Sequence, residues 1–213
     1  MGSFYLARQG RWRLAGIVGG LAALTRLAGL VLLPALLIEY WLQRREGVRS
    51  AQQVLWLALI PGAFGVYLLL NFLSAGSPWH FLGLEQRIWN HRWSWPGLGL
   101  VSLIQQPLVG TLSDIIADRI LYLVVAVITA VASLATFFRL RLSYAVFTGF
   151  TLLIIYSTTV LSSSPRYVLG AFPIFMIIGQ LLATTRLRYV WLFISAALLI
   201  VMLGRYTAGL WAY

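Results

Sequence analysis

Long apolar stretches separated by short groups of arginines constrain this chain more than any other feature of its sequence. About 20 apolar residues carry an α-helix across the hydrocarbon core of a bilayer, which is about 30 Å thick. Five stretches are of that length or slightly shorter: residues 54–73, 120–138, 142–161, 168–183 and 189–204. Charged residues make up only 10% of the chain, against about 25% in a typical soluble domain. The sequence therefore predicts an all-α, polytopic transmembrane helix bundle with about five full spans.

The first apolar stretch, residues 14–42, is too long for one simple span, because a single helix of that length would extend about 43 Å. Arg26 would then lie near the bilayer centre, where a charge costs at least about 2.5–3.5 kcal/mol. Two shorter helices, residues 14–24 and 27–42, place Thr25 and Arg26 at a bend. We predict this N-terminal helical hairpin, which brings Arg26 to the opposite surface or into a wet cavity.

The distribution of arginines supports the hairpin. It places ten arginines on one side of the membrane: Arg8, Arg11, Arg13, Arg44, Arg45, Arg49, Arg139, Arg141, Arg186 and Arg188. Six lie on the other side or within the bilayer: Arg26, Arg87, Arg92, Arg119, Arg166 and Arg205. The positive-inside rule makes the ten-arginine side cytoplasmic. A single straight helix would largely remove this asymmetry.

Missing residue types exclude several kinds of chemistry. All sixteen basic residues are arginine, so a phosphate-binding lysine and a Schiff-base lysine are impossible. The chain has no cysteine, which excludes disulfides, thiolate zinc sites and cysteine nucleophiles. Two histidines are too few for a histidine-built metal centre, so we expect no metal and no cofactor. The net charge of +11 indicates contact with a bilayer rather than with nucleic acid, and residues 1–213 form one predicted domain.

Residues 74–119, which we call the external loop, are the one long segment that is not plainly a span. Its first half predicts an interfacial amphipathic helix that ends at Pro96. The apolar half of this helix carries Phe81, Leu82, Leu84, Ile88, Trp89, Trp93 and Trp95. Glu85 and Arg92 project from the same half. Either each finds a partner in the bundle, or together they line a polar cleft that receives substrate.

The second half of the external loop is apolar but interrupted by glycine, glutamine and proline at residues 97–112. It predicts a surface helix or a re-entrant segment packed against protein, because irregular backbone cannot face lipid. Asp114 and Asp118 follow one helical turn apart. We interpret them as carboxylates at the start of the next span, where the helix dipole favours negative charge.

The sequence SSSPRY, residues 162–167, forms a turn on the same side as Arg26 and the external loop. Serine hydroxyls and the Arg166 guanidinium, beside the amides of a starting helix, suit a phosphate, because arginine offers two parallel donors. A solvated turn with an interfacial arginine explains the motif equally well. Arg26 favours the anion site, since two arginines at one membrane face suit a lipid phosphate or pyrophosphate.

Three stretches together resemble the integral-membrane mannosyltransferases of the family that includes the second mannosyltransferase of GPI-anchor assembly and its prokaryotic relatives. They are LAALTRLAGLVLLPALLIE at residues 21–39, GSPWHFLGLEQRIWNHRWSWP at residues 76–96 and SSSPRYVLGAFPIF at residues 162–175. The resemblance implies a GT-C type enzyme that takes a sugar, usually mannose, from a polyprenyl- or dolichyl-phosphate sugar. Transfer to an acceptor hydroxyl would occur on the external or luminal face.

The resemblance also suggests roles for individual residues. Arg26, Arg166 and Tyr167 match the binding of the donor phosphate. Gln86 and Trp89 match family positions, and we group them with Arg92 as candidate acceptor or cleft residues. The family's catalytic acid is expected upstream of everything in this chain, so we interpret the chain as the later part of such an enzyme. Glu85, Asp114 and Asp118 are then the candidates for a replacement base.

Two other functions remain open from the sequence. The chain is alternatively a noncatalytic membrane subunit whose aromatic loop binds a partner protein, or a transporter with a helix broken near Pro61. For the glycosyltransferase, we expect a bacterial cell membrane, or the endoplasmic reticulum membrane if the chain is eukaryotic.

Overall fold

The computed structural model describes residues 1–47, 51–89, 92–105, 119–161 and 164–209. In chain order, its α-helices are α1 (Gly2–Arg8), α2 (Trp12–Thr25), α3 (Leu32–Arg45), α4 (Leu59–Ala75), α5 (His80–Trp89), α6 (Leu98–Gln105), α7 (Leu121–Arg139), α8 (Leu142–Tyr156), α9 (Ser164–Val168), α10 (Phe172–Leu182) and α11 (Leu187–Thr207). Two 3-10 helices, Leu27–Val31 and Ala51–Ala58, lead directly into α3 and α4. The predicted all-α fold class is confirmed.

Four helical segments are long and apolar enough to cross a membrane: Leu27–Arg45, Gln52–Ala75, Leu121–Arg139 and Leu187–Thr207. Large aliphatic and aromatic side chains are exposed along all four. So much exposed apolar surface is unfavourable in water and suits lipid. These segments identify the chain as a membrane protein.

Two predicted spans are shorter in the structure than in the prediction. Helix α8 ends at Tyr156 and has 15 residues, and α10 has 11. The turn at Gly170 separates α10 from the short helix α9, which ends at Val168, so the second of these spans begins only at Phe172. Pro173 lies in the first turn of α10, where proline's missing N–H leaves no hydrogen bond unmade. Of the five predicted spans, three therefore have bilayer length among the described residues, and the fourth long segment, Leu27–Arg45, contains the second arm of the predicted hairpin.

The predicted N-terminal hairpin is present, with its bend at Arg26. The backbone of Arg26 is extended, with φ −154° and ψ 140°, and ends α2. At the open end of the hairpin, the rings of Trp12 and Tyr40 lie 5.3 Å apart. At the closed end, a Cβ atom on Gly29 would lie 2.5 Å from the carbonyl oxygen of Ala22. Glycine is therefore required where the two arms meet.

Small residues allow α2 to pack closely against the segment that follows the hairpin. Cβ atoms on Gly16 or Gly20 would collide with the backbone carbonyl oxygens of Trp56 or Leu59. Close backbone approach at small residues is a common means of association between helices in lipid. It fixes α4 against the hairpin without polar side chains.

The short helix α1 belongs to the core of the bundle. Phe4 is 1% exposed, and its ring contacts those of Tyr144, Phe147 and Phe172 at centroid distances of 5.1, 5.5 and 5.5 Å. Ser3 donates a hydrogen bond to the carbonyl oxygen of Ala15 at 2.7 Å. The ring cluster joins α1, α8 and α10, and so it determines where the chain re-enters the bundle after α9.

Candidate functional site

Arg26 and Arg166, distant in sequence, meet at one aromatic ring. The guanidinium carbon of Arg26 lies 5.6 Å from the ring centroid of Tyr167, and that of Arg166 lies 5.4 Å from the same centroid. Both distances lie within the range in which a cation is attracted to a ring face. Together they limit the separation of the two guanidinium carbons to about 11 Å. The hairpin bend supplies one cation and α9 supplies the other together with the ring. We call these three residues the arginine–tyrosine cluster.

Neither cation of the arginine–tyrosine cluster forms an ion pair with a carboxylate of the described residues. Both side chains are exposed. Two unneutralised guanidinium groups that share one ring create a local positive potential, and each keeps N–H donors in the planar arrangement that matches phosphate oxygens. Each of the two side chains can therefore donate to an anion with several oxygen atoms.

The surroundings of Arg166 differ from the prediction in one respect. We expected the amides at the start of a long span to adjoin this arginine, but α9 covers only five residues before the turn at Gly170. The dipole of a bilayer-length helix is therefore not available to the cluster. Ser164 is buried, and its Oγ has no hydrogen-bond partner in the described part of the chain. Ser162 and Ser163 lie outside the described residues.

An extended segment of the external loop lies against the chain just before α9. The amides of Ser94 and Gly97 donate to the carbonyl oxygens of Ser157 and Tyr156 at 2.9 Å each, and Thr159 donates to the carbonyl oxygen of Arg92 at 3.0 Å. The predicted amphipathic helix through Trp95 is therefore wrong beyond Trp89, where α5 ends. Where α8 stops, its backbone groups need new partners in an apolar environment, and the loop provides them.

No hydrogen bond, ion pair or ring contact links the other described candidate residues to the arginine–tyrosine cluster. Arg92 has an exposed side chain, and its backbone N–H lies 3.4 Å from Oγ1 of Thr159. Glu85 and Gln86 are exposed on α5, and Glu85 forms no ion pair with a described residue. The side chain of Trp89 and all of Asp114 and Asp118 lie outside what the structure describes.

The sequence analysis missed a carboxylate at the opposite end of the bundle. Glu39 is fully buried and accepts hydrogen bonds from Arg8 at 3.0 Å, Gln43 at 2.8 Å and Ser143 at 2.6 Å. Nε of Arg141 lies 3.5 Å from Oε2 of Glu39. These five residues, which we call the Glu39 cluster, join α1, α3 and α8. An acidic residue inside a predicted apolar segment was the signal for it, because such residues usually have a specific partner.

The chemistry of the Glu39 cluster is that of a closed structural site. Both carboxylate oxygens are occupied by protein donors, so no position is left for a substrate or a metal. Among the described residues, no group of three or more histidines, cysteines or carboxylates is placed to hold a metal ion. The two charged clusters therefore differ: the Glu39 cluster is neutralised internally, and the arginine–tyrosine cluster presents cations that pair with no described carboxylate.

Comparisons with known proteins add no relative to this description. No protein-family model, no curated protein and no solved structure matches the chain. The resemblance to membrane mannosyltransferases therefore stays a prediction.

Proposed function

We propose that this chain is part of a membrane glycosyltransferase in which Arg26 and Arg166 bind the phosphate of a lipid-linked sugar donor. The observation that supports it is the convergence of the two guanidinium groups on Tyr167, at 5.6 and 5.4 Å from its centroid. The donor is a polyprenyl-phosphate sugar in a bacterial cell membrane, or its dolichyl counterpart in the endoplasmic reticulum.

The reaction gives the two cations a defined role. The acceptor oxygen forms a bond with the anomeric carbon of the sugar, the bond from that carbon to the phosphate oxygen breaks, and its electron pair stays on the lipid phosphate. Negative charge therefore develops on the leaving phosphate, where fixed guanidinium groups stabilise it. The acceptor hydroxyl must lose its proton to a base. Of the three candidate bases, Glu85 lies within the described part of the chain, where it is exposed. No hydrogen bond, ion pair or ring contact links it to the arginine–tyrosine cluster.

Tyr167 positions the two cations, because among the described residues its ring is the one that both guanidinium groups contact. Its ring face attracts both guanidinium groups and thereby offsets part of their mutual repulsion. Phenylalanine retains this face, whereas leucine removes it. The proposal therefore requires phenylalanine to replace Tyr167 with little loss of phosphate binding.

Binding of a short prenyl phosphate to the purified chain in detergent tests the proposal without requiring catalysis. Farnesyl phosphate is the probe, and farnesol, which lacks the phosphate, is the control ligand. We expect Arg26→Gln and Arg166→Gln each to weaken binding about tenfold, because each removes a charge-assisted hydrogen bond. Arg139→Gln, an exposed arginine at the end of α7, should change affinity less than twofold, within about 0.4 kcal/mol.

Several outcomes would contradict the assignment. Equal affinity for farnesyl phosphate and farnesol would mean that the phosphate contributes nothing. Unchanged binding in both arginine variants would place the phosphate elsewhere. A Tyr167→Phe variant as weak as Tyr167→Leu would remove the role given to the ring.

A noncatalytic membrane subunit is the second candidate function, favoured by the exposed tryptophans of the external loop. Trp79, Trp93 and Trp95 are 53%, 56% and 84% exposed. Tryptophan is enriched both at protein interfaces and at the membrane surface. If this function is correct, Trp93→Ala with Trp95→Ala abolishes association with a membrane partner, while farnesyl phosphate binds the native chain and Arg26→Gln equally.

A further inference from the structure

A small pocket lies at the turn between α10 and α11, at the end of the bundle opposite the arginine–tyrosine cluster in the predicted topology. We call it the turn pocket. It has a volume of about 120 Å³ and is lined by Ala183, Thr184, Thr185, Arg186, Arg188 and Tyr189. All six lining residues are exposed, so the turn pocket opens to its surroundings, and its volume has room for a phosphate group.

The lining of the turn pocket carries positive charge without a carboxylate to neutralise it. Neither Arg186 nor Arg188 forms an ion pair with a described acidic residue. Two other arginines assigned to the same side, Arg8 and Arg141, lie on Glu39 instead. The guanidinium carbon of Arg188 lies 4.7 Å from the ring centroid of Tyr189, a contact that leaves its charge unneutralised.

Hydrogen bonds hold one of the two cations in place and leave donors available. Arg188 donates through Nη2 to the hydroxyl of Tyr189 at 2.8 Å and through Nη1 to the carbonyl oxygen of Ala183 at 3.4 Å. A guanidinium group has more N–H donors than these two bonds use, and the Tyr189 hydroxyl, which accepts here, can still donate. The 21-residue helix α11 also begins here with no acidic residue in its first turn, so its N-terminal potential adds to that of the arginines.

The apolar neighbours of the turn pocket distinguish a lipid from a free anion. Leu187 is 61% exposed and Val190 is 53% exposed at the start of α11, a helix long enough to span the bilayer. A phospholipid supplies both a phosphate for the pocket and acyl chains for these side chains. We propose that the turn pocket binds the phosphate of an anionic phospholipid in the leaflet on the ten-arginine side.

The test is lipid binding to the purified full chain in detergent, with bound lipids counted by native mass spectrometry. Short-chain phosphatidylglycerol is the probe, phosphatidylcholine with the same tails is the neutral-headgroup control, and inorganic phosphate is the free anion. We expect Arg186→Gln with Arg188→Gln to lower the affinity for phosphatidylglycerol about tenfold. Arg44→Gln with Arg45→Gln removes the same charge from the same side and should lower it less than about twofold.

Three results would overturn the proposal. If the variants at Arg186/Arg188 and at Arg44/Arg45 lose the same affinity for phosphatidylglycerol, the effect is one of general charge. If the Arg186/Arg188 variant keeps its affinity, the turn pocket does not bind the lipid. If inorganic phosphate binds the turn pocket with the same affinity as phosphatidylglycerol, the pocket is a site for a free anion. Far-UV circular dichroism establishes that the variants fold, and Thr184→Val with Thr185→Val provides a second, uncharged perturbation of the same pocket. The loss caused by Arg186→Gln with Arg188→Gln should be the same in chains with and without Arg26→Gln, which separates this site from the proposed donor site.

Discussion

Replacing Glu39 by glutamine should destabilise the bundle by about 3 kcal/mol, because it removes the buried negative charge that lies against both Arg8 and Arg141. Breaking a buried ion pair by removal of one partner typically costs about 3–5 kcal/mol. The side chains of Arg8 and Arg141 are 39% and 29% exposed, so both can partly rehydrate, and the lower end of that range applies. Glutamine keeps the size of the side chain, so the loss reflects charge and hydrogen bonding rather than a cavity.

Glu46 provides a matched control for this prediction. It also lies against Arg141, at 3.0 Å, but it is 53% exposed, whereas Glu39 is fully buried. Exposed ion pairs contribute about 0.2–1 kcal/mol, so Glu46→Gln should cost less than about 1 kcal/mol. The free energies of unfolding are measured by reversible denaturation in mixed micelles. A Glu39→Gln variant within about 0.5 kcal/mol of Glu46→Gln would refute the argument that burial decides the strength of these pairs.

Three further changes test the packing of the bundle. Gly29→Val should open the hairpin and cost more than about 2 kcal/mol of unfolding free energy, because its Cβ would lie 2.5 Å from a backbone oxygen of α2. Gly62→Val is the control and should be neutral in the same measurement, because nothing lies within 4 Å of its Cβ. Phe4→Ala should cost about 3–4 kcal/mol, and Tyr5→Ala, at 65% exposure, less than about 0.5 kcal/mol; equal losses would contradict the core position of α1. Ser143→Ala removes a 2.6 Å hydrogen bond to a buried carboxylate and should cost about 1.5–3 kcal/mol, a value that a thermal unfolding series can distinguish from zero.

Hydropathy and the distribution of charge were sufficient to predict the class of the fold and the hairpin. A charge at Arg26 in the middle of an apolar stretch has few favourable places in a bilayer, so the bend could be placed within a residue or two. The two arginines of the candidate site were selected on the same reasoning. Their shared contact with Tyr167 depends on how α9 packs beside the hairpin bend, which is a property of the assembled bundle.

The parts that could not be predicted depend on pairing between distant backbone segments. Helical periodicity continued from Phe81 to Trp95, but Arg92 to Ser94 are extended and pair with the backbone just after α8, and a turn follows at Gly97. The same applies to the Glu39 cluster, in which Arg8 and Ser143 are far apart in the sequence. Local pattern contains no information about such partners until the helices have been brought together.

Helix α11 has no buried residue along its whole length, from Leu187 to Thr207. Its place in the membrane is therefore determined by partitioning into hydrocarbon rather than by tertiary contacts. A helix that inserts into the bilayer before its bundle assembles is held in the same way. Such a helix tethers the protein to the bilayer and can tilt with membrane thickness while the compact helices before it keep their arrangement. Membrane thickness would then act on the orientation of the tether and leave the geometry around Tyr167 unaltered.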